Sequence, residues 1–175
     1  MARTLSLIVR NLVFTALVPG LGGAWLPWRI LTSGGRTASP AAWEAIPVIA
    51  AGIGLYGWCV WNFGAAGRGT PGPWDAPRQV VMSGPYGWVR NPIYIGALLV
   101  VLGEAWLFLS LPLLAYAAVM AACFHLFVIG YEEPALRRRF GAGYAGYLQA
   151  VPRWVPRRPR HGEPGSTSGG RCCGG

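Results

Sequence analysis

Four long apolar runs dominate the hydrophobic pattern of the chain. They cover roughly residues 5–28, 43–63, 93–111 and 113–131. Each is close to the ~20 residues that an α-helix needs to cross the ~30 Å hydrocarbon layer of a bilayer. The first run also has the position of a signal peptide, but it is long and lacks a clear small-x-small cleavage site. The pattern therefore predicts an all-α, polytopic membrane protein with about four transmembrane helices.

The third and fourth runs meet at Ser110, Leu111 and Pro112, which leaves room only for a tight helical hairpin. A proline in the first turn of a helix costs no backbone hydrogen bond, so Pro112 can begin the fourth helix. Both outer ends of the hairpin, and the segment over residues 64–90 before it, are then expected on one side of the membrane.

A further helical stretch begins at Pro134 and has an amphipathic pattern. Apolar side chains recur at steps of three and four residues, and residues 137–139, all Arg, point elsewhere. The apolar positions are Leu136, Phe140, Tyr144, Tyr147, Leu148 and Val151. We expect a C-terminal amphipathic interfacial helix, with a helix packed on the crossings as the alternative.

Domain boundaries follow from the same pattern. Residues 1–157 are expected to form a single membrane domain. Beyond residue 157 the chain is rich in Pro, Gly, Ser and Arg, which predicts a disordered tail over residues 158–175.

Composition supports burial in a membrane. Hydrophobic residues make up 53% of the chain and charged residues 12%, whereas soluble domains carry about a quarter charged residues. All 15 basic residues are Arg, and the net charge is +9. The arginines lie between and after apolar runs rather than on a solvated basic face. Membrane lipids are therefore favoured as partners over nucleic acid.

The arginines also predict the orientation. One side is expected to hold Arg29 and Arg36. The other is expected to hold the arginines at residues 3, 68, 78 and 90, the cluster at residues 137–139 and the C-terminal arginines. By the positive-inside rule the side with more arginines is cytoplasmic, with both termini inside.

The remaining sequence signals narrow the kinds of site. Strands do not alternate with helices, so a doubly wound nucleotide-binding sheet is not expected, and any cofactor must be held by helices. Cys59 and Cys123 lie in apolar runs and Cys172 and Cys173 lie in the tail, without metal-ligand spacing. We predict no metal site.

Polar residues cluster at the predicted cytoplasmic ends of the third and fourth runs. Asn91 followed by Pro92 has the pattern of an N-cap and a first-turn proline. A helix start also offers free amide donors to an anion, and Arg90 adds a cation beside it. At the other end, Glu132 and Glu133 indicate either an interfacial salt bridge or a carboxylate that binds ribose hydroxyls or an amino group.

Three more residues complete the candidate set. His125 precedes Glu132 by seven residues, which places both on one face of a regular helix. It is either a core histidine or a base, and we expect Glu133 or His125 to be catalytic only if the acceptor needs a base. The rings of Tyr86 and Tyr94, which flank the Arg-Asn-Pro turn, could attract a sulfonium cation.

These residues form a pattern that resembles the isoprenylcysteine carboxyl methyltransferase and phospholipid methyltransferase family. The resemblance covers roughly residues 71–157. Its motifs are Gly84-Pro85-Tyr86, Val89-Arg90-Asn91-Pro92-Ile93-Tyr94-Ile95-Gly96, Tyr131-Glu132-Glu133-Pro134 with Leu136, Phe140-Gly141 with Tyr144 and Tyr147, and Val151-Pro152-Arg153.

The resemblance implies an all-helical membrane methyltransferase that uses S-adenosylmethionine, with the donor site formed by residues 71–157. The residues that it implies at the donor are Arg78, Gln79, Val80, Val81, Tyr86, Asn91, Pro92, Ile93, Tyr94 and Glu132, with Arg90 beside them. Many family members have His at the position of Asn91, and the isoprenylcysteine enzymes have a substrate-binding Arg at the position of Val128.

The acceptor stays open at this stage. Prenylcysteine, a phospholipid amine, a small thiol and a quinone-like molecule all fit a lipophilic or small-molecule acceptor. A non-catalytic membrane scaffold or transporter subunit with the same fold is the alternative function. Polar residues spread along the crossings would favour transport, whereas here they gather at one end.

Overall fold

The computed structural model describes residues 20–33, 41–62 and 84–157, and the regular structure within these ranges is entirely helical. The elements are a π turn Leu21–Trp25, α1 (Leu26–Thr32), α2 (Ile46–Asn62) after a 3-10 turn Trp43–Ala45, a 3-10 turn Gly84–Gly87, α3 (Pro92–Leu107), α4 (Leu111–Phe127), a π turn Val128–Glu132 and α5 (Glu133–Ala150). The all-α prediction is confirmed for these ranges. The predicted tail over residues 158–175 lies outside them.

Two helices are long and apolar enough to cross a membrane. They are Trp43–Asn62, with 20 residues, and Leu111–Gly141, with 31 residues. Helix α3 is apolar but has 16 residues, which rise only about 24 Å. The first predicted crossing falls mostly outside the described residues. Of the four predicted crossings, two therefore have helices of spanning length in the described part of the chain.

Helices α2 and α3 run antiparallel and approach closely at glycines. A Cβ atom on Gly52 would lie 2.8 Å from the carbonyl oxygen of Gly96, and one on Gly103 would lie 3.2 Å from the backbone nitrogen of Ile49. Only residues without a side chain allow the two backbones to meet at this distance. At the far end, the amides of Ala41 and Ala42 donate to the Leu107 carbonyl at 2.8 and 3.1 Å.

The predicted hairpin between α3 and α4 is present. Helix α3 ends at Leu107, and Leu109 turns the chain with a φ of 47°. Ser110 caps α4 by accepting a hydrogen bond of 3.4 Å from the Leu113 amide on its side chain. The outer ends of α3 and α4 consequently lie at the same end of the molecule.

The apolar face of helix α5 packs into a small hydrophobic core. Tyr144, Tyr147 and Val151 are buried, with the partly buried Leu136, Phe140 and Leu148 packed against them. These are the six positions of the predicted amphipathic face, so that grouping is confirmed. The sequence pattern did not predict that the helix breaks at Gly141, where φ is 54° and ψ is −128°.

Candidate functional site

The site begins in the 3-10 turn before α3, which directs Tyr86 inward. Gly84 has a φ of +60° and lies against the side chain of Asn62. Tyr86 is buried, and its phenol lies close to the buried thiol of Cys59. Burial, with smaller contributions from Cys59, raises the pKa of Tyr86 well above its usual value, so the phenol stays neutral.

Asn91 stands at the predicted N-cap position of α3, and Pro92 opens the helix, but the Asn91 side chain makes no capping hydrogen bond. Its amide nitrogen instead donates to the carbonyl oxygen of Arg153 at 3.2 Å. Asn91 is 5% exposed, so this hydrogen bond is shielded from water. Because the Asn91 side chain bonds to Arg153, it does not cap the backbone amides in the first turn of α3.

Residues 151–157, which we name the C-terminal strap, cross the segment before α3. The Arg90 amide donates to the Pro152 carbonyl at 2.9 Å, and the Arg157 amide donates to the Trp88 carbonyl at 3.0 Å. From α5, outside the strap, the Tyr147 hydroxyl donates a hydrogen bond of 2.8 Å to the Tyr86 carbonyl in the same segment. The strap therefore holds the segment before α3 in place, a role that the sequence did not predict.

Glu133 links the strap to α3 through two ion pairs. Arg90 Nη1 donates to Glu133 Oε1 at 2.8 Å. Arg153 binds the same carboxylate with two donors, Nε to Oε1 at 2.8 Å and Nη2 to Oε2 at 2.9 Å. Glu133 is 6% exposed. Protonating this carboxylate would break both pairs, so the geometry favours the salt-bridge interpretation of Glu133 over a free base.

Glu132 faces a different neighbour from Glu133. The Tyr94 hydroxyl donates to Glu132 Oε2 at 3.0 Å. The Tyr94 ring lies 4.6 Å from that of Phe124, which holds the phenol in place. Among the described residues, Glu132 Oε1 accepts no hydrogen bond. Tyr94 thus positions one carboxylate oxygen, and no described residue donates a hydrogen bond to the other.

His125 is separated from the Glu132 contact. The π turn Val128–Glu132 lies between them, and one extra residue in a turn rotates the later part of the helix by about 100° relative to a regular α-helix. The seven-residue spacing therefore no longer predicts a shared face. His125 is exposed, and its Nδ1 atom accepts a hydrogen bond of 3.1 Å from the indole of Trp154.

The described part of the chain brings most of the predicted donor residues together. The start of α3 supplies Pro92, which is buried, Ile93, which is half-buried, and Tyr94. Tyr86 lies near enough to Glu132 for its carboxylate to influence the phenol. Arg78, Gln79, Val80 and Val81 lie outside the described residues, so their predicted contacts stay predictions.

Comparison with known proteins gives one match. A family model described as phospholipid methyltransferase matches residues 41–143, more than half of the chain. The match runs from the residues before α2 to just beyond Gly141 and does not include the C-terminal strap. No curated protein and no solved structure matches the chain.

Proposed function

Because the chain belongs to the phospholipid methyltransferase family, we propose that it transfers a methyl group from S-adenosylmethionine to a lipophilic or small acceptor. The transfer would take place at the cytoplasmic face of the membrane, in a manner like that of isoprenylcysteine carboxyl methyltransferases. The family is membrane-associated, and two helices of the chain are long and apolar enough to cross a bilayer.

Tryptophans support the proposed multi-pass placement. Trp43 and Trp61 are 62% and 75% exposed at opposite ends of the second apolar run. Their separation of 18 residues corresponds to about 27 Å of helix, close to the thickness of the hydrocarbon layer. Tryptophans at both boundaries are typical of membrane-spanning helices. Trp61 lies at the end of the bundle that holds the site, which would place the site at one membrane surface.

The polar groups of the site match those of S-adenosylmethionine. The free oxygen of Glu132 can accept hydrogen bonds from ribose hydroxyls or from the ammonium group. The first-turn amides of α3 and Arg90, whose Nε has no hydrogen-bond partner among the described residues, can bind the donor's carboxylate. When bound, the donor supplies an electrophilic methyl group on a sulfonium, and Tyr86 and Tyr94 offer aromatic faces to that cation.

The residues would act mainly by positioning. An in-line methyl transfer needs the donor and acceptor aligned, and orientation alone can lower a barrier by ~7–11 kcal/mol. Neither candidate base is free, because Glu133 is held by two guanidinium groups and His125 Nδ1 by Trp154. The site therefore favours an acceptor that is already nucleophilic when it arrives, such as a carboxylate, a thiolate or an unprotonated amine.

The Tyr94–Glu132 contact is the observation that carries this proposal, because it brings two motifs of the donor site together. We expect the protein, purified in detergent, to bind S-adenosylhomocysteine in isothermal titration calorimetry. Glu132→Gln should weaken that affinity by about tenfold or more, since a charged hydrogen-bond acceptor is lost.

Glu44→Gln is the matched control, because Glu44 is exposed at the opposite end of the bundle. Its affinity should equal that of the wild type. If the wild-type protein binds no S-adenosylhomocysteine, the methyltransferase proposal fails and the membrane scaffold or transporter subunit becomes the better interpretation.

A further inference from the structure

The contact with Trp154 fixes which nitrogen of His125 carries a hydrogen. An indole N–H can only donate, so His125 Nδ1 must accept with its lone pair across the 3.1 Å separation. In the neutral ring the hydrogen then lies on Nε2. No group in the described part of the chain accepts that hydrogen. His125 therefore presents an oriented donor that no described residue uses.

This donor lies on an apolar surface. His125 is exposed on α4, and the next two residues, Leu126 and Phe127, are 64% and 38% exposed. A polar hydrogen that faces lipid is costly unless an acceptor meets it. The half-buried Trp154 belongs to the strap that also accepts a hydrogen bond from Asn91. The orientation of His125 therefore depends on the position of the strap against the N-terminus of α3.

The position of His125 relative to the donor site indicates which lipid group would meet it. Seven residues separate His125 from Glu132, which is about 10 Å along the helix. Although the π turn removes the shared face, Phe124, the residue before His125, packs against the Tyr94 ring at 4.6 Å. A molecule whose reactive group lies near Tyr94 can therefore extend past His125 toward the hydrocarbon layer. In a diacyl lipid, the groups at that point are the ester carbonyls, which accept hydrogen bonds but cannot donate them.

We propose that His125, oriented by Trp154, donates from Nε2 to an ester carbonyl oxygen of the lipid acceptor. His125 is then a specificity-determining residue that selects acyl esters over ether-linked lipids, and it does not act as a base. Leu126 and Phe127 provide the apolar surface along which the acyl chains lie. This inference rests on the proposed function for the existence of a lipophilic acceptor and narrows that acceptor to a diacyl lipid. The contact itself can be measured without the donor.

The test compares diacyl phosphatidylethanolamine with its dialkyl ether analogue, which lacks both carbonyls. Native mass spectrometry of the detergent-purified protein, titrated with each lipid, gives the ratio of their dissociation constants. We expect the wild type to bind the diacyl lipid about three- to tenfold more tightly, the effect of one hydrogen bond. His125→Phe should lose the preference, and Trp154→Phe should reduce it, because the ring is no longer oriented.

His125→Gln is the matched variant, because its side-chain amide places an N–H near the position of Nε2. It should keep the preference. Thermal unfolding of each variant verifies folding. A wild type without preference, a preference that survives His125→Phe, or its loss in His125→Gln would each overturn the proposal.

Turnover with labelled S-adenosylmethionine provides the second readout. His125→Phe should raise the KM for the diacyl lipid about three- to tenfold and leave kcat unchanged; a loss confined to kcat would contradict the contact. If the protein binds no S-adenosylhomocysteine, the proposed function fails, and the lipid preference is decided separately by the donor-free titration.

Discussion

Tyr94 donates a hydrogen bond of 3.0 Å to Glu132, across 38 residues of sequence. The contact joins the start of α3 to the π turn that follows α4. It exists because a tight turn at Ser110 sends both outer helix ends to the same end of the bundle. A ligand at this position can therefore touch the two sequence motifs at once.

The first prediction concerns this contact. Tyr94→Phe removes the hydroxyl and leaves the Glu132 carboxylate less well oriented. We expect the affinity for S-adenosylhomocysteine to fall about tenfold, because hydrogen bonds to charged groups are among the stronger ones. Tyr116→Phe is the control, since the Tyr116 hydroxyl donates to Gly22 at the other end of the bundle. Equal affinities in the two variants, measured by calorimetry, would exclude a role for Tyr94 in donor binding.

The second prediction separates anchoring from base catalysis at Glu133. Glu133→Gln leaves Arg90 and Arg153 without their counter-ion, and the Arg90 side chain is only 12% exposed. We expect the free energy of unfolding to fall by about 3 kcal/mol, as for a buried pair that loses one partner. Chemical or thermal unfolding in detergent measures this.

Donor affinity should also weaken in Glu133→Gln, because Arg90 and the strap lose their fixed positions. A base would behave differently. If the variant keeps wild-type stability and donor affinity but loses kcat alone, Glu133 acts in the reaction itself.

The third prediction tests the contact between α2 and α3. Gly52→Ala would place its Cβ atom 2.8 Å from the Gly96 carbonyl oxygen, a backbone atom that cannot move by itself. We expect a loss of about 1–3 kcal/mol in unfolding free energy. Gly54→Ala is the control on the same helix, since a Cβ atom there meets nothing within 4 Å. That change should be neutral or slightly stabilising, because Ala favours helix.

The fourth prediction concerns the bend in α5. Gly141 has φ 54° and ψ −128°, a conformation that side chains disfavour. Gly141→Ala should cost about 1–3 kcal/mol and lower the thermal unfolding temperature. Gly143→Ala, two residues further on and with open space around its Cβ position, should have little effect. If both variants unfold alike, the backbone conformation at Gly141 is not what shapes the helix.

The sequence predicted the helices and their pairing better than the side-chain partners. Apolar runs and Pro112 located the hairpin, and the apolar periodicity of residues 136–151 identified the six positions that pack together. These features depend on local periodicity and on the burial of apolar surface, which leave a clear pattern in a single sequence.

Asn91 shows why the partners were harder to predict. Local rules describe an N-cap side chain that bonds the next turn of its own helix. The actual acceptor is the carbonyl of Arg153, 62 residues away. Likewise, nothing in the residue types of the π turn Val128–Glu132 predicts the extra residue that rotates Glu132 away from the face of His125. Competition from distant backbone groups and small changes in helical register do not appear in local patterns.

The glycine contact between α2 and α3 also restricts how a lipid can approach the site. Where the Gly52 and Gly96 backbones touch, no gap remains that an acyl chain could enter. Among the described helices, α4 also packs against α3 and has an exposed apolar face, which offers a hydrophobic molecule another approach to Tyr94. The interface between α2 and α3 is thus closed to lipid, which leaves the exposed face of α4 as a lateral approach to the site among the described helices.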